Sequence, residues 1–117
     1  MHILIVDDEK EFVEMMRERL HYKNLTMDFA YDGRQALELI KSKKYDIVFL
    51  DHNMPEMTGL ELVKYIKENN IDIKTVMITG YPAIRGSFAK AIGTDEYLTK
   101  PVQLKDVEDI IEKYRNK

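Results

Sequence analysis

Short apolar runs alternate along this chain with longer stretches in which apolar residues recur at helical spacing. The segments 3–6 (ILIV), 47–50 (IVFL) and 75–79 (TVMIT) are predominantly apolar, as are strands that are buried on both faces. Between them, a stretch such as 11–20 (EFVEMMRERL) places Phe12, Met16 and Leu20 on one helical face. A regular alternation of strand and helix predicts a parallel sheet with helices on both faces.

The whole chain divides into five such strand–helix units. The predicted strands are 3–6, 26–30, 46–50, 75–79 and a segment near 96–99. The predicted helices are 11–20, 34–43, 60–69, a short segment containing Gly86, and 104–114. The second strand (TMDFA) alternates between polar and apolar residues, which is typical of a half-exposed edge strand.

Composition limits the chain to one ordinary globular domain. Its 117 residues are 44% hydrophobic and 33% charged, so we expect a single domain over 1–117 with one core. The net charge of -3 argues against a general electrostatic attraction to nucleic acid or to an anionic membrane. The chain contains no cysteine and no apolar run near the roughly 20 residues of a membrane span. We therefore expect a cytoplasmic protein without disulfides or thiolate metal sites.

Polar and charged residues follow four of the predicted strands, at the edge where the carboxyl ends of parallel strands meet. They are Asp7 and Asp8 after the first strand, Asp51 after the third, Thr79 and Gly80 after the fourth, and Lys100 and Pro101 after the fifth. In a doubly wound sheet such residues converge on one crevice. Because crowded carboxylates repel one another, a divalent cation is expected there, and oxygen ligands favour Mg²⁺.

Four motifs carry a resemblance to a known family. VDDE (6–9), LDHNMPEMTG (50–59), TGY (79–81) and YLTKP (97–101) together resemble the receiver domain of two-component response regulators over essentially the whole chain. The resemblance implies a flavodoxin-like, five-stranded parallel sheet of strand order 2-1-3-4-5. It also implies a stand-alone receiver similar to the single-domain chemotaxis regulators.

The resemblance assigns an acceptor and a metal site. It makes Asp51 the phosphoacceptor and a metal ligand, Asp8 a direct Mg²⁺ ligand, and Asp7 a ligand acting through water. The backbone carbonyl of Asn53 is the third protein ligand. Mn²⁺ is expected to substitute for Mg²⁺.

The same resemblance assigns the residues that respond to the phosphoryl group. Thr79 would donate a hydrogen bond to it and Lys100 would pair with it. Tyr97 would be the aromatic residue that reports occupancy to the output surface, so Thr79 and Tyr97 form the switch. The peptide between Lys100 and Pro101 should be cis.

These roles agree with the chemistry of the residues. A carboxylate can attack phosphorus to form an acyl phosphate, provided that cations and donors neutralise the phosphoryl oxygens. The implied donor is a phosphohistidine on a histidine kinase or a phosphotransfer protein. The domain would catalyse its own phosphoryl transfer and dephosphorylation rather than act as a separate enzyme. Output would require phosphorylation-dependent binding to a downstream protein.

Several of these residues also have a purely structural interpretation. Asp8 followed by Glu11 is also a capping-box pattern for the first helix. Thr79 taken alone can end a strand, and Lys100 can be a solvated loop residue. Tyr97 can be a strand residue half-packed on the sheet.

Two features depart from the family pattern. His52 occupies a position that is commonly aliphatic or aromatic, where it is either an exposed loop histidine or a group that modulates phosphate lifetime. Pro82 and Gly86 are poor helix residues in the fourth helical segment. Tyr81 is bulky and would restrict entry of water or a phosphatase.

Three other function classes fit the pattern less well. A haloacid-dehalogenase-type phosphatase needs a second acid two residues after its nucleophile, where this chain has Asn53. A nucleotide-binding module needs a glycine-rich loop after the first strand, where this chain has DDEKEF. A receiver-like interaction domain that is never phosphorylated would usually lack part of the site, which is complete here.

Overall fold

The structure is a computed structural model that describes residues 1–20, 25–52, 58–80 and 93–115. Its strands are β1 (His2–Val6), β2 (Thr26–Ala30), β3 (Ile47–Asp51), β4 (Lys74–Thr79) and β5 (Glu96–Thr99). Its helices are α1 (Lys10–Arg19), α2 (Gly33–Ser42), α3 (Gly59–Glu68) and α4 (Leu104–Arg115). The helical segment predicted around Gly86 lies outside the described residues. None of the helices within the described ranges is long and apolar enough to cross a bilayer.

The five strands form one parallel sheet in the order β2-β1-β3-β4-β5, as predicted. The chain runs from β1 outward to β2, then crosses back so that β3 pairs with the other side of β1. The strand order therefore reverses between β1 and β3, and the carboxyl ends of these neighbours border the crevice. The register pairs Val6 with Leu50, so the residues that follow, Asp7 and Asp51, lie at the same level.

Alternate side chains of the central strands β1, β3 and β4 point into two separate cores. One core lies under α2 and α3 and includes Leu4, Val6, Val48, Leu50 and Met77 from the strands and Ala36, Ile40, Leu62, Val63 and Ile66 from the helices. The other lies under α1 and α4 and includes Ile3, Ile5, Ile47, Phe49, Val76 and Ile78 from the strands and Met16, Val107, Ile110 and Ile111 from the helices. Both faces of the central strands are buried, which explains their continuously apolar sequences.

The helix starts differ in how they are capped. The side chain of Asp32 accepts a hydrogen bond from the Gln35 backbone at α2, and Thr58 and Glu61 form a capping box at α3. At α1 the N-cap is Glu9, whose side chain makes no capping hydrogen bond. The interpretation of Asp8 as the capping residue of this helix is therefore wrong.

The physical reason lies in the residue before Asp8. Asp7 Oδ1 accepts a hydrogen bond from the Glu9 backbone N–H at 2.8 Å, which orders the turn that enters α1. The helix consequently begins at Lys10, one residue later than a capping box of Asp8 and Glu11 would require.

A polar network joins the edge strand β2 to residues near the amino ends of β1 and β3. This end of the sheet is opposite to the crevice. Asp28 Oδ2 accepts hydrogen bonds from Tyr45 Oη at 2.7 Å and from Lys43 Nζ at 3.3 Å, and lies 3.0 Å from His2 Nε2. Partial burial alone would raise the pKa of Asp28, but the hydrogen bonds from Tyr45, Lys43 and His2 outweigh it and lower that pKa. Burial, reinforced by Asp28, raises the pKa of Tyr45.

We expect Tyr45→Phe to lower the free energy of unfolding at pH 7 by about 1–2 kcal/mol, because it removes a hydrogen bond to a charged carboxylate. Since the folded pKa of Asp28 is lowered, its contribution is complete well above the unfolded value of about 3.9 and is lost as the pH falls through the folded value. The loss caused by Tyr45→Phe should therefore shrink below about pH 4.

Urea unfolding at several pH values measures this effect. Tyr65→Phe is the matched control, because Tyr65 contacts Lys41 through its ring rather than its hydroxyl. A loss for Tyr45→Phe that is the same at pH 7 and at pH 3, or equal to that of the control, contradicts the prediction.

Candidate functional site

The candidate site lies at the carboxyl edge of the sheet, where four strands end. Asp51 is the last residue of β3 and Thr79 is the last residue of β4. Asp7 follows β1 directly, and its backbone N–H still donates to the Ala30 carbonyl of β2 at 3.1 Å. Lys100 follows β5, and its backbone N–H donates to the Thr79 carbonyl at 2.8 Å. The sheet hydrogen bonding therefore fixes the backbone on which these side chains stand.

Three carboxylates meet at this edge. Asp7, Asp8 and Asp51 each offer an oxygen, and these atoms all lie within 4.8 Å of one another. Asp7 is fully buried and Asp51 is 3% exposed, whereas Asp8 is exposed to solvent. The cluster is therefore buried on the side of Asp7 and Asp51 and accessible to solvent at Asp8. Its carboxylate oxygens are the type of ligand that hard divalent cations prefer.

The effect of burial and of neighbouring carboxylates is clearest in the pKa of Asp7. Burial raises the pKa of Asp7 to about 7, and the charges of Asp51 and Glu9 add to the rise. The backbone N–H of Glu9 and the ammonium of Lys100 act in the opposite direction without cancelling it. Asp7 Oδ2 is buried and has no hydrogen-bond partner within the described part of the chain. A buried carboxylate oxygen without a donor is what a cation site requires, so these residues fit a divalent metal.

Lys100 supplies the positive charge of the site. Its Nζ lies 3.3 Å from Asp51 Oδ2 and forms a second ion pair with the Glu9 carboxylate. Burial by itself would lower the pKa of Lys100, but the hydrogen bond to Glu9 and the charges of Asp7 and Asp51 raise it. Lys100 therefore remains a protonated ammonium beside Asp51. The Lys100–Pro101 peptide is cis, as the resemblance implied.

For Thr79 and Tyr97, the structure gives the position in the sheet and the burial. Thr79 is fully buried on β4, one residue beyond the pair formed by Asp51 and Ile78. Tyr97 lies on β5 and is 38% exposed, which makes it an exposed large hydrophobic residue among those described. Its role as a switch stays a prediction.

His52 is partly buried rather than exposed, so its description as an exposed loop histidine is wrong. Its backbone N–H donates to the Ile78 carbonyl at 2.7 Å, which extends the pairing of β3 with β4 and holds the residue against the sheet. Its role as a modulator stays a prediction. Asn53 and Tyr81 lie outside the described residues.

Glu9 is the site residue that sequence reasoning did not single out. It is the third acid in the VDDE motif, and it contacts Lys100, which is 91 positions away in the chain. The run of three acids was visible, but only the folded chain brings the last of them to the lysine.

Gly59 brings the start of α3 against the strand that carries Asp51. A Cβ atom built at Gly59 would lie 2.6 Å from the Asp51 carbonyl oxygen and 3.1 Å from Met77 Sδ. The backbone oxygen cannot rotate away as a flexible side chain can. Gly80 differs, because the nearest atom to a Cβ built there is Lys100 Cδ at 4.0 Å.

Comparison with known proteins identifies relatives of the chain. A family model described as the response regulator receiver domain matches residues 3–112. The response regulator MprA of Mycolicibacterium vanbaalenii is 33% identical over 108 residues, which cover 92% of this chain and 47% of MprA. The response regulator SaeR of Staphylococcus epidermidis is 35% identical over 101 residues, which cover 86% of this chain and 44% of SaeR. The chain thus spans about half the length of these curated relatives.

Solved structures agree with the sequence comparison. A response regulator receiver domain from Francisella has a TM-score of 0.88 and 26% identity, covering 99% of this chain and 98% of that chain. The response regulator TrrA of Thermotoga maritima, solved in complex with Mg²⁺ and BeF, has a TM-score of 0.83 and 32% identity, covering 97% of each chain.

We expect Gly59→Ala to lower the free energy of unfolding by about 1–3 kcal/mol, because the added methyl group overlaps a backbone atom in a packed region. The strain falls on the Asp51 backbone, so any affinity of the acidic cluster for a divalent cation, tested with Mg²⁺, should fall as well. Urea unfolding and calorimetric Mg²⁺ titration measure the two effects. Gly80→Ala is the stability control and should lose no more than about 0.5 kcal/mol. Equal stability of the two variants would show that the close approach at Gly59 has no consequence.

Proposed function

The chain belongs to the response regulator receiver domain family, and from this premise we propose that it accepts a phosphoryl group on Asp51. Phosphorylation-dependent signalling is the general function of this family, and the chain is a signalling domain of that kind. The proposal covers residues 1–117 as a single receiver domain.

The observation that carries the proposal is the arrangement around Asp51. Its carboxylate is nearly buried, lies 3.3 Å from the Lys100 ammonium, and shares an oxygen cluster with Asp7 and Asp8. A nucleophilic carboxylate needs nearby positive charge to stabilise the phosphoryl oxygens. Lys100 supplies part of that charge, and the acidic cluster provides a place for the rest.

The reaction consists of one substitution at phosphorus. An oxygen of Asp51 forms a bond to the phosphorus of a phosphohistidine while the bond from phosphorus to the histidine nitrogen breaks. The electron pair of that bond leaves with the imidazole, and Asp51 becomes an acyl phosphate. Lys100 then pairs with the phosphoryl oxygens and Thr79 donates a hydrogen bond to one of them. The chain would catalyse this transfer and the later hydrolysis of its own acyl phosphate.

The metal proposed for the acidic cluster is Mg²⁺, for which Mn²⁺ would substitute. Asp7, Asp8, Asp51 and the backbone carbonyl of Asn53 would hold it. When bound, it would neutralise the phosphoryl oxygens and the repulsion among the carboxylates. Two observations support this proposal: Asp7 Oδ2 has no hydrogen-bond partner among the described residues, and the TrrA structure was solved with Mg²⁺.

The proposed partners are a histidine kinase or a histidine phosphotransfer protein as donor, and a downstream protein as target. Tyr97 would transmit the phosphorylation state to that target from its exposed position on β5. The net charge of -3 gives no support to a nucleic-acid or membrane partner. A cytoplasmic location, modulation by His52 and restricted access caused by Tyr81 stay predictions.

Incubation with Mg²⁺ and acetyl phosphate should add one phosphoryl group to the chain, and Asp51→Asn should abolish it, because an amide cannot form the acyl phosphate. Intact-mass spectrometry measures the labelling, and lability to hydroxylamine identifies an acyl phosphate. Asp72→Asn is the control. Asp72 is exposed and precedes β4, so it lies at the end of the sheet opposite to the site. Undiminished labelling of Asp51→Asn would refute the assignment.

Asp8→Asn should weaken Mg²⁺ binding by roughly tenfold or more, because ligand charge sets the affinity of such sites. Since Glu9 rather than Asp8 is the N-cap of α1, the substitution should leave helix capping intact. Calorimetric titration gives the Mg²⁺ affinity, and urea unfolding confirms that stability is retained. If the affinity matches that of Asp72→Asn, Asp8 is not a metal ligand.

A further inference from the structure

The ammonium of Lys100 is shared by two carboxylates that differ in their surroundings. One is Asp51, which is buried in the site, and the other is Glu9, whose side chain is 58% exposed at the mouth of the site. The hydrogen bond from Lys100 to Glu9 is also the leading interaction that raises the pKa of the lysine. Lys100 is therefore held in the resting protein by an acid that lies outside the acceptor itself.

Two features argue against a purely structural role for the Glu9 side chain. It makes no capping hydrogen bond at the start of α1, although Glu9 occupies the N-cap position. The turn into α1 depends instead on the Glu9 backbone N–H, which donates to Asp7 Oδ1 at 2.8 Å. A change confined to the Glu9 carboxylate therefore leaves the backbone contact in place.

Glu9 is also distinct from the residues that group around a cation. Within the described residues, the carboxylates close enough to share a metal ion are Asp7, Asp8 and Asp51. Among the described contacts, the ion pair with Lys100 is the direct contact between the Glu9 side chain and the site.

The Glu9 carboxylate and an incoming phosphoryl group compete for the ammonium of Lys100, because both are negatively charged. An incoming phosphoryl group is an anion that must pair with Lys100, and it meets an ammonium already neutralised in part by Glu9. The Glu9 carboxylate also repels that anion directly. Both effects raise the free energy of bringing an anionic donor to Asp51.

We propose that Glu9 is a positioning residue that holds Lys100 in the resting state and slows phosphoryl transfer from anionic donors. The inference rests on the proposed function of Asp51 and adds to it a control on the lysine. Glu9 acts through Lys100 and does not itself contact the phosphorus.

The test compares the wild type with Glu9→Gln and Glu11→Gln at saturating Mg²⁺. Glu9→Gln preserves the size of the side chain and the backbone N–H while removing the charge. Glu11→Gln is the matched control, because Glu11 lies on α1 and lines the same groove as Glu9 and Lys100. The initial rate of Asp51 labelling is measured with acetyl phosphate and with phosphoramidate, which carries less negative charge at neutral pH.

With acetyl phosphate, Glu9→Gln should be labelled on the order of three- to tenfold faster than the wild type, the size expected from one charge at short range in a partly hydrated site. The gain should be smaller with phosphoramidate and should shrink at high salt, because both conditions weaken the repulsion. Glu11→Gln should stay within about twofold of the wild type, since Glu11 is exposed, forms no ion pair with Lys100 among the described contacts, and its charge is screened by solvent.

Equal rates for Glu9→Gln and Glu11→Gln, a slower Glu9→Gln, or the same acceleration with both donors would overturn the inference while leaving Asp51 as the acceptor. A wild type that is not labelled on Asp51 would overturn the proposed function and this inference together.

Discussion

The packing of like charges at one edge of the sheet is the constraint on which the rest of the site depends. Asp7 and Asp51 are nearly excluded from water, and their oxygens lie within 4.8 Å of each other and of Asp8. Burial and repulsion disfavour the charged state of such groups, as the raised pKa of Asp7 shows. The site therefore favours whatever brings positive charge to it. Lys100 is one such charge, and the oxygen donors of the cluster fit a divalent cation as another.

The sheet enforces this crowding through backbone contacts. The parallel pairing of β1 with β3 fixes Asp7 and Asp51 at the same level, and both strands are anchored by cores on their two faces. On the side of α3, Gly59 allows the helix to approach the carbonyl of Asp51. Because apolar burial stabilises these strands along their whole length, the fold can hold carboxylates together at their ends without stabilisation from the carboxylates themselves.

Lys100 links the buried part of the site to its exposed edge. It is held by Asp51 inside the site and by Glu9 at its mouth, and it follows Tyr97 by three residues on the same segment. Any change in the charge at Asp51 alters the balance between these two ion pairs. The backbone of Lys100 is meanwhile fixed by its hydrogen bond to Thr79, so the flexible part is the side chain alone.

The sequence by itself determined the parallel sheet, its five strands, the helices within the described residues, and the convergence of Asp7, Asp8, Asp51 and Lys100, because hydrophobic periodicity and strand ends are local properties. Its pattern of Asp8 followed by Glu11 indicated a capping box at α1, but the N-cap is Glu9, whose backbone N–H is held by the Asp7 carboxylate. The pairing of Glu9 with Lys100 was likewise decided by the tertiary structure. It joins residues 91 positions apart, and a contact of that separation depends on how the segments that follow β1 and β5 meet at the carboxyl edge of the sheet rather than on any local pattern.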